Sequence, residues 1–143
     1  MRKNFSTGAK WEDIVGYSRA VQVDNVLEVT GTVAVDENGK LVGKDNVYEQ
    51  TRFVLTKMAR VIEQAGFSLN DVVRTRIYVT DISKWEEVGR AHHEFFGSIK
   101  PATTMVQVSA LISPEFLVEI EASAIKSGSG EVKRQRLELW STR

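Results

Sequence analysis

The chain has 143 residues, enough for one domain with a sizeable core, and its 42% hydrophobic and 27% charged content is that of an ordinary soluble protein. Its 19 basic and 19 acidic side chains cancel, which leaves no net field to draw nucleic acid, although a local patch is compatible with that balance. The lack of cysteine excludes disulfides, thiolate zinc sites and a cysteine nucleophile.

Residues 1–10 are polar and carry no apolar signal segment, and no run approaches the ~20 apolar residues that span a bilayer. A cytoplasmic location and no membrane partner are therefore expected. Gly16 to Val23 and Val26 to Val35 read as strands, and Asp24-Asn25 between them predicts a hairpin turn. Asp36-Glu37-Asn38-Gly39 is a second turn signal, after which Leu41-Val42 reads as a short third strand. From Val47 to Ala65 the period changes. Val47, Thr51, Val54, Leu55, Met58, Val61, Ile62 and Ala65 form one apolar helical stripe, and Gly66 suits its C-terminal end. Ser68 to Asp71 is expected as a loop, and Val72 to Val79 alternates as a strand with Arg74 and Arg76 on one face. Ser83-Lys84-Trp85-Glu86 has the capping-box pattern of a second helix that runs to Phe96 and stops at Gly97. Thr103 to Val108 and Leu117 to Ile125 are the last two strands.

Strands joined through a helix are most naturally parallel neighbours, with the helices on one sheet face. The other face, with candidate side chains Tyr17, Val21 and Met105, is then expected to meet further copies of the chain. Residues 1–126 read as one domain and 127–143 as a tail. Ser127-Gly128-Ser129-Gly130 suits a flexible linker, and Arg134 to Trp140, with alternating Leu137 and Leu139, suits an edge strand, a segment packed on a neighbour or a disordered end equally well.

Pro101-Ala102-Thr103-Thr104-Met105-Val106, Val118-Glu119-Ile120-Glu121-Ala122, Gly16-Tyr17, Thr30-Gly31, Glu49-Gln50-Thr51 and Ala65-Gly66 occur in an order that resembles the Rid family, also called YjgF/YER057c/UK114. The resemblance covers roughly residues 12–125. It implies a chorismate-mutase-like α+β domain, a mixed six-stranded sheet with two helices on one face, assembled as a homotrimer with three clefts between subunits. It also implies that one subunit supplies Tyr17 and Thr30-Gly31 to a cleft, while its neighbour supplies Thr103, Met105 and Glu119. At Thr103 the imine-hydrolysing members carry an arginine that grips the substrate carboxylate in a two-pronged bond, which threonine cannot reproduce.

The residues themselves give that site some support. Glu119 and Glu121 lie two apart on a strand, hence on one face, and a carboxyl in a closed cleft can serve as acid or base. Their alternative is plain solvation, the stronger reading for Glu121. Tyr17 can orient a ligand or fill a core, Gly31 can admit a ligand to the backbone or mark a bulge, and Met105 suits an apolar wall. Arg19 shares a predicted strand face with Tyr17 and is a candidate substitute cation, against the alternative of a surface arginine. His92-His93 lacks metal-ligand spacing, and no cofactor or metal is expected. Trp11 reads as a staple for the N-terminus in preference to a cleft lid.

These residues suit a deaminase-like hydrolase of enamine, imine or related C–N compounds that is not a standard 2-imino acid deaminase. Glu119 would be catalytic, and Tyr17, Arg19, Thr30, Gly31, Thr103 and Met105 would bind the small-molecule ligand. A non-catalytic metabolite-binding or regulatory trimer is the competing reading. RNA cleavage ranks third, because the net charge is zero and no acid–base pair is evident.

Overall fold

The computed structural model describes residues 1–127 and 133–139. In chain order the elements are strand β1 (Arg2–Phe5), helix α1 (Lys10–Val15), strands β2 (Ala20–Val23) and β3 (Val26–Thr32), helix α2 (Val47–Gln64), strand β4 (Val72–Val79), helix α3 (Trp85–Phe96), and strands β5 (Ala102–Gln107) and β6 (Val118–Ile125). They build a six-stranded sheet ordered β1-β2-β3-β6-β4-β5. All neighbours are antiparallel except β4 and β5, which are parallel and connected through α3. The mixed α+β sheet expected from sequence is therefore present. One neighbour relation differs: β3 and β4, also joined through a helix, run parallel but are separated by β6.

Local chemistry accounts for the main elements. Asp24 takes a φ of 52° in the β2–β3 turn, a conformation aspartate tolerates better than most residues. Asn46 caps α2 by accepting from the Glu49 amide, and Gly66 just past its end has a φ of 85°. The α2 stripe lies on β3 and β6, where Leu27, Leu55, Ile62, Ile77 and Ile120 are each at most 1% exposed. Fully burying one such side chain contributes about 1.5–3 kcal/mol.

A polar staple sits beside this apolar layer. The buried Gln50 amide donates to Gly43 O at 3.1 Å and Glu115 O at 3.0 Å, and its oxygen accepts from the Leu117 amide at 2.9 Å. One α2 side chain thus holds two loops and fixes the start of β6, where Glu119 lies.

Several expectations need correction. Residues Gly16 to Arg19 are not strand: β2 begins at Ala20, and Gly16, with a φ of 87°, closes the unanticipated helix α1. A left-handed residue there cannot continue a pleated strand. β1 was also unforeseen, since Arg2, Lys3 and Asn4 give it no apolar alternation. β3 ends at Thr32, and Leu41 makes a single bridge to Val35 in place of a third strand. The turn ahead of α3 is capped by Asp81, whose carboxylate accepts from the amide and hydroxyl of Ser83, so Ser83 is not the capping residue. Trp11 is half exposed on α1 with the Lys10 ammonium 4.9 Å from its ring, and does not staple the terminus. Met105 pairs with the buried Ile77 and packs against the core, on the helix side of the sheet and not the open face. Residues 133–139 form no strand; the Arg134 guanidinium donates to Ser98 O, and Leu137 and Leu139 are exposed. Gly128, Ser129, Gly130 and Trp140 lie outside the described residues.

Candidate functional site

The structure divides the expected site residues into two groups. In the first, Tyr17 and Thr30 border an open groove of about 590 Å³ together with Arg2, Glu12, Asp13, Glu28 and Glu121. Tyr17 follows the Gly16 turn, and Thr30 and Glu121 project from the sheet face that the helices leave uncovered. Glu121 accepts a hydrogen bond from the Tyr78 hydroxyl.

At the end of β3, pairing with β6 shifts register between Val29 and Thr32. Arg19 reaches into this irregular stretch, its Nη2 donating to Gly31 O at 2.9 Å. A Cβ at residue 31 would overlap Glu119 Oε2 and stand 3.1 Å from Glu119 Cδ. A side chain at residue 31 would therefore have to displace the end of the Glu119 side chain, and glycine lets the carboxylate approach the backbone directly. Glu119 therefore lies against Gly31 of its own chain; a neighbouring subunit is not needed to deliver it, contrary to the division implied by the resemblance.

Burial pushes the Glu119 carboxyl above the ordinary carboxylate range, Glu121 adds to the rise, and Arg19 opposes it. Burial pulls the Arg19 guanidinium down, while Tyr17, Glu12 and Glu119 favour its charge. Arginine stays protonated under such shifts. Among the described residues, Arg19 Nε is a buried donor without a partner. Lys57, a residue the sequence did not flag, lies nearby with its ammonium donating to Val35 O at 2.8 Å; burial first and Arg19 second lower its pKa. A carboxyl that holds its proton at higher pH beside a guanidinium can act as an acid or base next to an anion-compatible spot.

The second group is at the β5 edge of the sheet. Thr103 is exposed on β5, with its Oγ1 2.8 Å from Thr75 Oγ1 and 3.1 Å from Pro101 O. Thr75 Oγ1 in turn is 2.9 Å from Nε2 of His92, whose ring packs 4.8 Å from that of Phe96. Met105 follows on the same face. Four strand spacings separate β2 from β5, roughly 19 Å, and Glu119, two spacings from β5 on β6, projects from the opposite sheet face to Thr103. Within one copy, then, Tyr17, Arg19, Thr30, Gly31 and Glu119 come together, and Thr103 and Met105 do not join them. Arg74 donates to Thr104 Oγ1 at 2.6 Å on the open face.

Glu12 and the Thr75–His92 pair were missed by sequence reasoning. The run Lys10 to Val15 closed by Gly16 was a usable helix signal for Glu12. Nothing local connects Thr75 with His92, since a strand and a helix must fold together first.

The sequence model of the family described as Endoribonuclease L-PSP matches residues 7–126. The chain belongs to this family, the Rid (YjgF) family. The Rid chain is similar to a YjgF/YER057c/UK114 family member from Mycobacterium tuberculosis, with 48% identity and a TM-score of 0.80 over 88% of this chain and 100% of that one. A RutC family protein of Pyrococcus abyssi is 39% identical over 111 residues, 77% of this chain and 86% of the relative. The 3-aminoacrylate deaminase RutC of Acinetobacter baylyi is 33% identical over 108 residues, 76% of this chain and 85% of the relative. Among the described residues, no helix is long and apolar enough to cross a membrane.

Proposed function

We propose that this Rid protein is a deaminase-like hydrolase of a small enamine, imine or related C–N compound, working in clefts between copies of a homotrimer. The observation that carries the reading is Glu119 against Gly31, a carboxyl with a raised pKa at a point where the backbone is open to close approach. A relative named as a 3-aminoacrylate deaminase supports the reaction class. An enamine would first tautomerise to the imine, taking a proton from solvent at carbon and releasing one from nitrogen to solvent. Glu119 as carboxylate would then accept a proton from water as its oxygen adds to the imine carbon, and as acid would return that proton to nitrogen. The carbinolamine so formed would then pass its hydroxyl proton through Glu119 to the departing nitrogen, so that the C–N bond breaks, the carbonyl forms and ammonia leaves.

Tyr17, Thr30, Gly31 and Arg19 would orient the ligand from one copy, and Thr103 and Met105 would complete the pocket from the next. The separation of the two groups within one chain favours association, as does the uncovered sheet face. Without an arginine at 103, the protein would not be a standard 2-imino acid deaminase. An RNA substrate is disfavoured by the groove, whose described borders carry Glu12, Asp13, Glu28 and Glu121 against the cation Arg2.

Ammonia release from a panel of small enamines, with and without a carboxylate and including freshly generated 2-aminoacrylate and 3-aminoacrylate, tests the reading. A carboxylate-free compound should turn over faster than 2-aminoacrylate, and Glu119→Gln should abolish the difference from buffer. No turnover of any compound by the unaltered protein would leave a non-catalytic metabolite-binding protein. Sedimentation equilibrium should give three times the chain mass; a single folded chain at working concentration would contradict the shared cleft.

A further inference from the structure

The Thr75 hydroxyl is fully buried and meets two polar partners at once, Thr103 Oγ1 at 2.8 Å and His92 Nε2 at 2.9 Å. Three separate elements, β4, β5 and α3, converge to make this file; its Thr103 end is exposed, its Thr75 centre is buried and its His92 end is half-buried. Each hydroxyl owns one proton, so the file has two consistent directions. With a proton on Nε2, His92 donates to Thr75, Thr75 donates to Thr103, and Thr103 donates outward to Pro101 O or to a ligand acceptor. With Nε2 bare, Thr103 donates inward through Thr75, and its oxygen offers only lone pairs.

A carboxylate is compatible with the first direction alone, through one neutral hydrogen bond and without a compensating charge. An amide, amine or hydroxyl is compatible with either. We propose that His92, acting through Thr75, orients the Thr103 hydroxyl, and that this hydroxyl receives a neutral hydrogen-bonding end of the ligand. The proposal rests on the reading above that Thr103 borders the cleft, and it names the ligand class for that side. His92 is a positioning residue, since Thr75 and Thr103 stand between it and any ligand. Its ring is held against Phe96, and burial, helped by His93, disfavours the charged form. The choice between neutral tautomers is what sets the direction.

Long-range proton–nitrogen correlation spectra of the labelled full chain read which His92 nitrogen carries the proton, with no turnover required. Thr103→Val removes the exposed hydroxyl and keeps the shape. The His92 Nε2 resonance should shift although the two side chains do not touch, and Thr103→Ser should restore it. Titration with acetamide and acetate as probes forms the second arm. Acetamide should bind more tightly than acetate, and Thr103→Val should weaken it about two- to tenfold, the span of one neutral hydrogen bond. An unmoved His92 resonance in Thr103→Val overturns the proposal, as does acetamide binding no tighter than acetate or not at all. Neither arm depends on catalysis, so a protein that shows both effects yet releases no ammonia refutes the hydrolase reading alone.

Discussion

Glu119 Oε2 occupies the space into which a Cβ at residue 31 would project. Gly31→Ala must therefore move the carboxylate or bend the end of β3. The expected result is a loss of about 1 kcal/mol of stability, the low end for overpacking because the displaced atom is the far end of a flexible side chain, together with reduced ammonia release. Urea unfolding and the enamine assay would check both. An alanine variant indistinguishable from the parent in stability and rate would show that Glu119 swings freely out of the way.

Glu119 also predicts a slope in stability against pH. Its folded pKa is raised, so between the ordinary carboxylate value and the raised one the folded chain still holds a proton that the unfolded chain has released. Folding stability then falls as pH increases through that window and stays lower above it. Glu119→Gln removes this contribution, and the variant should gain on the parent as pH rises. Denaturation curves taken across the window would run parallel for the two proteins if the carboxyl were unperturbed.

Thr103→Arg should confer release of ammonia from 2-aminoacrylate, because it restores a two-pronged carboxylate partner at an exposed position. The loss of the Thr75 hydrogen bond should cost about 1 kcal/mol, which the fold tolerates. A well-folded arginine variant with no gain on this substrate would mean that residue 103 does not face the reacting molecule.

Gln50→Leu keeps the volume but leaves Gly43 O, Glu115 O and the Leu117 amide without their partner. About 1–3 kcal/mol of destabilisation is expected, from the partly buried Leu117 amide and Glu115 carbonyl left without this partner; Gly43 O keeps the Asn46 amide. Because Leu117 leads into β6, hydrogen exchange at residues 115–119 should accelerate first. Uniform loss of protection across the sheet would argue against a local staple.

Glu12 makes a complementary case at the low end of pH. Burial raises its pKa, but hydrogen bonds from the Ser6 and Thr7 side chains and from the Thr7 and Ala9 amides outweigh that and lower it. Its stabilisation is present above the ordinary carboxylate value and is lost as pH falls through the depressed one. Glu12→Gln should thus lose stability at neutral pH and converge with the parent in acid; equal stability at neutral pH would remove Glu12 as an anchor of α1.

Where hydrophobic period and turn chemistry agreed, the sequence was a good guide. The α2 stripe ended at Gln64 beside Gly66, and Val72 to Val79 folded as the strand its alternation prescribed. β1 and α1 escaped because neither buries an apolar face: β1 is exposed from Arg2 to Asn4, and the buried residue of α1 is a glutamate. Glu119 was recognisable as a candidate because strand alternation and the family motif both pointed to it. Its contact with Gly31 was not, since that requires the register shift between β3 and β6. Arg19 was singled out by a strand spacing from Tyr17 that the folded chain does not have, since β2 begins only at Ala20, and its bond to Gly31 O depends on the same irregularity as the Glu119 contact.

The fold keeps Tyr17, just ahead of β2, and Thr103, on edge strand β5, to either side of the central strands β3, β6 and β4. If both serve one pocket, every copy lends each half of itself to a different pocket, and damage to one half spares the other. Two inactive variants, one altered on each side, would then complement when refolded together, because some junctions would unite two intact halves.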